Sequence, residues 1–158
     1  MQHATNPRRA LLVALAALPL AGWAAPPAKA KVLVEVWKDP SCGCCKEWVG
    51  HLQANGFAVK VNETGNNAMR AKLGIPKELG SCHTALVGGY AVEGHVPAAD
   101  IRRLLKDKPE AIGLTVPGMP VGSPGMDGAI YGKRRDPYDV LLVLASGETR
   151  VFSSYNKA

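Results

Sequence analysis

The sequence predicts an α/β domain, and three observations predict it. Short runs of β-branched and apolar residues (Val32–Trp37, Phe57–Val61, Thr84–Val87) read as buried strands. Segments with apolar residues at helical spacing lie between them, and glycine or proline marks nearly every junction.

Taken in order, Val32–Trp37 is the first strand, and Asp39-Pro40-Ser41 breaks it. A helix follows from about Cys44 to Asn55, with Cys45, Val49 and Leu52 on one face and Gly56 as its C-terminal cap. Phe57–Val61 is the second strand. A weaker helix from about Asn66 to Leu73 sets Met69 and Leu73 four residues apart, which places Met69 in the core, before Gly74 and Pro76 stop it. Thr84–Val87 and Tyr90–Glu93 form a hairpin about Gly88-Gly89. Pro97 opens a third helix with Ile101, Leu104 and Leu105 inward and Arg102, Arg103 and Lys106 outward. The order β-α-β-α-β-β-α is a thioredoxin-like layout. Residues 31–106 form that core, and 107–158 form a C-terminal extension with a methionine-bearing loop and a hairpin, Val140–Leu144 and Thr149–Phe152.

Ahead of the domain, Arg8-Arg9 precede an apolar run from Leu11 to Ala25, the layout of a secretory signal peptide. The run falls short of the roughly 20 residues a membrane span needs, and Pro19 and Gly22 interrupt it. The signal is read as residues 1–25, extending to 30 if cleavage follows Ala28-Lys29-Ala30. The general secretory route fits better than twin-arginine export, because Ala10-Leu11-Leu12 match the latter signal only loosely. The expected location is the periplasm. The chain's formal charge of +6 includes the two signal arginines, and the group Lys133-Arg134-Arg135 lacks interleaved aromatics, so nucleic acid is not an expected partner.

Chemistry concentrates at the turn between the first strand and first helix. Cys42-Gly43-Cys44-Cys45 holds three of the four cysteines. Cys42 and Cys45 make the C-x-x-C of thiol–disulfide exchange, but Cys44 adds a sulfur that exchange does not need. A helix N-terminus favours thiolate over thiol. Cys82 enters just ahead of the third strand, facing that helix, where thioredoxins usually carry a cis-proline; here Ser81-Cys82-His83 replaces the usual platform for a peptide substrate. Two structural disulfides would be the ordinary reading of four exported cysteines, but adjacent Cys44 and Cys45 cannot each staple distant loops without strain.

Thiolates and thioethers select Cu(I), and imidazole suits either copper state or zinc. Met119 and Met126 follow glycines in a Pro/Gly-rich loop with no packing period, which leaves their thioethers free to serve a nearby site or to fill an apolar gap. His95 borders the same groove. Strand alternation sends His83 away from Cys82 unless the backbone is irregular there, so ligation and a supporting core role are both open. His51 reads as a solvated helix residue. Trp37 and Trp48 read as core or shielding residues.

Cys42-Gly43-Cys44-Cys45, Ser81-Cys82-His83-Thr84, Gly94-His95-Val96-Pro97 and the segment Val116–Met126 together resemble the CopG family of periplasmic copper-resistance proteins, over about Lys31 to Tyr155. The resemblance implies a thioredoxin-like domain whose CxCC turn binds several copper ions, aided by the C-terminal extension, with interconversion of Cu(I) and Cu(II). From the residues themselves, the expected ligands are Cys42, Cys44, Cys45 and Cys82, completed by His95 and by Met119 or Met126, with ligation by His83 left open and Cys42 and Cys45 as the redox pair. Copper ions and periplasmic export or redox proteins are the implied partners. A passive copper carrier and a thiol–disulfide exchange protein remain alternatives, and two methionines would be odd partners for zinc.

Overall fold

The computed structural model describes residues 30–157 together with Met1, so nearly all of the segment read as a signal peptide lies outside the described residues. Strand β1 (Leu33–Lys38) leads into helix α1 (Gly43–Ala54), strand β2 (Ala58–Asn62) and helix α2 (Asn67–Lys72). After a 3₁₀ turn at Lys77–Leu79 come β3 (His83–Val87), β4 (Tyr90–Glu93) and α3 (Ala98–Asp107). The extension supplies β5 (Gly113–Thr115), a second 3₁₀ turn (Ala129–Tyr131), β6 (Tyr138–Val143) and β7 (Thr149–Tyr155).

One sheet orders the strands β2-β1-β3-β4-β5-β6-β7. β1 runs parallel to β2 and antiparallel to β3, and β3 pairs antiparallel with β4 through a turn whose glycines, Gly88 and Gly89, both take positive φ. The thioredoxin-like order is therefore present as expected. The extension then continues the same sheet, with β5 parallel to β4 and the β6–β7 hairpin at the edge, shifted in register between Val140 and Leu141.

The alternation of side chains assigns the two faces. Val34, Val36, Ala85, Val87, Val92 and Leu114 face α1 and α3, where Trp48, Leu52, Ile101 and Leu104 complete the main core. On the other face, Ala91 and Val143 pack with Ile75, Leu79 and Ile112. Fully burying such side chains stabilises by roughly 1.5–3 kcal/mol each. Met69 is a correction: helix α2 buries no residue, and Met69 is only half-buried outside both clusters. The helix is under two turns long, too short to press an apolar stripe into the core. No helix among the described residues is long and apolar enough to cross a membrane.

The extension is tied to α3 by a polar contact. Asp100, buried, accepts from Ser153 Oγ at 2.5 Å and Tyr155 Oη at 2.7 Å, and Tyr155 stacks on Tyr138 at 5.1 Å.

Candidate metal and redox centre

The centre is built on the first turn of α1. β1 ends at Lys38, whose buried ammonium donates to Asp39 O at 2.9 Å and pairs with Glu63 at 3.2 Å. Asp39 Oδ1 accepts from Ser41 N at 2.8 Å, and Asp39 O accepts from Cys42 N at 3.1 Å, so the chain turns tightly into the helix. Cys42 is the N-cap, its sulfur accepting from Cys45 N at 3.3 Å, and the two cysteines form a disulfide with Cα atoms 5.4 Å apart.

Cys44 and Cys82 are free thiols, both half-buried. Cys44 Sγ lies 3.6 Å from Cys42 Sγ, 3.8 Å from Cys82 Sγ and 4.0 Å from Met119 Sδ. The sulfurs of Cys42, Cys44, Cys45 and Cys82 all fall within 4.8 Å of one another. A second group, Cys82, His83 and His95, meets the same limit, so Cys82 joins a sulfur-rich side to an imidazole side.

Hydrogen bonding fixes the state of His95. Its Nδ1 lies 2.8 Å from Pro124 O, and a carbonyl can only accept, so Nδ1 carries the proton and Nε2 keeps a lone pair. That lone pair faces Cys82 Sγ at 3.1 Å. Burial pushes the Cys82 thiol up to about 12, with the neighbouring Cys44 adding to it, and burial lowers His95 below the ordinary imidazole range. The resting contact is thus a thiol donating to a neutral imidazole, and a metal would displace that proton.

His83 lies beside the pair rather than across the sheet from it. Cys82 sits one residue ahead of β3, where strand alternation does not govern, and His83 Nδ1 is 3.4 Å from Cys82 Sγ. Its ring meets Trp48 at 4.2 Å and the edge of His95 at 5.0 Å. His83 Nε2 is buried without a hydrogen-bond partner, and burial holds the ring well below its ordinary pKa. Trp48, itself fixed by Nε1 donating to Val96 O at 2.9 Å, walls the imidazoles from water.

The loop 116–126 closes the remaining side. Gly118 N donates to Gly80 O at 3.2 Å, and Gly125 packs so closely that a Cβ there would stand 2.7 Å from Cys44 O and 2.8 Å from Trp48 N. The two loop methionines part company. Met119 is half-exposed and reaches Cys44, whereas Met126 is buried, its sulfur accepting from Tyr131 Oη at 3.3 Å. Beside Cys44, a groove of about 370 Å³ opens between Glu47, Asp127, Ile130 and Tyr131.

His51 is a second correction. Instead of facing water, it is half-buried and its Nε2 accepts from Ala98 N at 3.1 Å, satisfying an otherwise unpaired donor at the start of α3. The sequence reading also missed the buried Glu93, which accepts from Arg70 Nε, Ser81 N and Thr84 Oγ1 at 2.7, 2.7 and 2.5 Å. The available signal was an acid closing the apolar strand Tyr90-Ala91-Val92-Glu93, in register with Thr84.

The molecule is an α/β protein of thioredoxin-like order carrying soft-metal donors at the first helix N-terminus. A family model described as "Protein of unknown function, DUF411" matches residues 79–126. Two solved structures are similar across nearly their full length. "Copper resistance protein copG- Form 2" shares 46% identity and a TM-score of 0.73, covering 80% of this chain and 99% of that one. "Copper resistance protein copG- Form 1" shares 44% identity and a TM-score of 0.74, covering 81% and 100%. Nothing among the curated proteins matches. The chain belongs to the CopG family of copper resistance proteins.

The donor set fits copper: clustered thiols, a thioether and an imidazole with one nitrogen tied to a carbonyl are ligands that hold Cu(I) and tolerate Cu(II).

Proposed function

We propose that the chain binds several copper ions as a thiolate-bridged cluster on Cys42, Cys44, Cys45 and Cys82, and interconverts Cu(I) and Cu(II) there in the periplasm. The observation that carries this reading is the convergence of four sulfurs within 4.8 Å, more than a C-x-x-C exchange site uses. His95 Nε2 and the Met119 sulfur complete the set, with His83 as a further imidazole donor; Met126, held by Tyr131, is the less apt of the two methionines.

Loading begins with reduction of the Cys42–Cys45 disulfide. Two electrons from a dithiol donor cleave the S–S bond and give two thiols, while the donor becomes a disulfide. Copper then replaces the protons of the four thiols, including the one Cys82 shares with His95. Copper is cargo here, and the protein's own contribution is to hold the sulfurs together and keep His95 neutral. Export of the chain behind its signal by the general secretory route, and hand-over to a copper-exporting or redox partner, belong to the same reading.

A second reading, thiol–disulfide exchange, is favoured by one observation, the disulfide at the helix N-terminus. Loading the reduced protein with Cu(I), then oxidising it stepwise while following Cu(II) by electron paramagnetic resonance and free thiols by alkylation, separates the two. The copper reading expects reversible appearance of Cu(II) with metal retained. Release of all copper as Cys42–Cys45 re-forms would leave a carrier, and no copper uptake at all would leave exchange.

A further inference from the structure

A clamp of hydrogen bonds surrounds Ser81, the residue before Cys82, and Ser81 Oγ lies 3.9 Å from Cys82 Sγ. Its peptide groups are held from both sides: Ser81 N donates to Glu93 Oε1 at 2.7 Å, while Ser81 O accepts from Arg70 Nη2 at 2.5 Å and Asn66 Nδ2 at 3.2 Å. Arg70 also pairs with Glu93 through Nε at 2.7 Å, so one guanidinium fork grips both the carboxylate and the carbonyl that the carboxylate's own partner carries. Thr84 Oγ1 occupies Glu93 Oε2 at 2.5 Å and Asn66 Nδ2 contacts Thr84 Oγ1 at 3.3 Å, closing the ring of bonds. Glu93 is fully buried and Arg70 nearly so.

Ser81 is also the neighbour of both soft-ligand segments. It precedes Cys82, and its Oγ donates to Gly118 O, one residue before Met119. Gly118 N in turn donates to Gly80 O, so the 80–82 and 118–119 segments are bonded side by side.

We propose that Glu93 and Arg70 are positioning residues for the metal centre, holding Ser81 so that Cys82 and Met119 reach Cys44 together. This rests on the copper reading for its biological meaning, but the geometric claim concerns the metal-free chain. A buried ion pair is weak evidence for stability, since apolar residues of like volume often serve as well. Its use here is directional: Arg70 Nε and Ser81 N share Glu93 Oε1 while Thr84 Oγ1 holds Oε2, and the fork fixes the peptide that leads into Cys82.

The test uses two conservative variants of the reduced, metal-free protein. Glu93→Gln keeps the shape but cannot serve every donor, and Arg70→Lys keeps the charge but cannot grip the carboxylate and Ser81 O at once. Cys82 and Cys44 alkylation rates are measured separately by mass spectrometry, alongside thermal unfolding. Positioning predicts that Cys82 alkylates about tenfold faster in both variants while Cys44 changes less than about twofold, because local opening is confined to the clamped segment. Unchanged Cys82 rates, or equal acceleration of both thiols, would overturn the proposal. Cu(I) competition on the same samples then separates this claim from the function. If wild type takes up no copper, the copper reading fails while the ratio of thiol rates still decides the clamp. If wild type binds copper, each variant is expected to hold it about tenfold more weakly, and wild-type affinity in both variants would overturn the proposal.

Discussion

Replacing Gly125 with alanine tests how tightly the 116–126 loop is seated on α1. Gly125 has φ of +84°, a conformation costing an L-residue roughly 1–2 kcal/mol. Its new methyl would stand 2.7 Å from Cys44 O, 2.8 Å from Trp48 N and 3.2 Å from Trp48 Cα, all backbone atoms of a helix that cannot rotate aside. Overpacking of this kind costs about 1–3 kcal/mol. If the loop lifts to escape, it forfeits the His95 Nδ1–Pro124 O bond instead, at about 1 kcal/mol. Either route gives a loss near 3 kcal/mol, which at roughly 1.5 kcal/mol per molar lowers the urea midpoint by about 2 M. Gly128→Ala is the matched control: its φ is −66° and nothing lies within 4 Å of the added carbon. That control should stay within about 0.5 kcal/mol of the parent. Equilibrium urea unfolding of the three proteins, with Cys44 alkylation as a local probe, reads both effects. If Gly125→Ala unfolds with the control and leaves Cys44 no more reactive, the packing argument is wrong.

Met119→Leu should weaken Cu(I) retention about tenfold, or about 1.4 kcal/mol, with unchanged stability, whereas Met126→Leu should lower stability and leave copper retention alone; competition titrations and urea melts check the pair. Asp100→Ala strands Ser153 Oγ and Tyr155 Oη beside α3 and should cost about 2–4 kcal/mol in urea unfolding; a smaller loss than about 1 kcal/mol would show that the β6–β7 hairpin does not depend on that anchor. Stability of the metal-free protein should fall as pH drops. His83 and His95 have folded pKa values lowered by burial, below an unfolded value near 6.5, so the unfolded chain binds more protons in that window. Their contribution is complete above about 6.5 and is lost as pH falls toward the lowered values, at up to ~1.4 kcal/mol per pH unit for each ring. Urea midpoints between pH 7 and 5 measure this, and a flat profile would contradict it. Half-buried His51 adds less, because solvent screens it.

Much of this was legible because local chemistry and fold agree. Asp39-Pro40-Ser41 ends the strand and turns the chain, and α1 begins at Gly43, beside the expected Cys44. Tyr90–Glu93 was read with its observed bounds because two consecutive glycines leave only one hairpin. Strand β5 was missed: Gly113-Leu114-Thr115 is three residues long with no alternation to detect, and it exists because β4 and β6 flank it. His51 and Glu93 failed for a different reason. Both are polar residues whose partners, Ala98 N and Arg70, lie 47 and 23 residues away, and no local period announces such contacts. The same limit applied to His95, whose supporting Pro124 carbonyl is supplied by a loop 29 residues on. Met119 and Met126 share one motif, and only their tertiary contacts, Met119 with Cys44 and Met126 with Tyr131, tell them apart.

The central claim is tested most directly by counting copper. A chain beginning at residue 31 would be reduced without oxygen, titrated with Cu(I), and assayed for tightly held copper and free thiols, beside Cys44→Ser. The account predicts several copper ions per chain, all four thiols protected, and fewer ions in the variant, because Cys44 lies between Cys42 and Cys82 at 3.6 and 3.8 Å. No tight copper, with Cys42–Cys45 cycling freely between disulfide and dithiol, would contradict it.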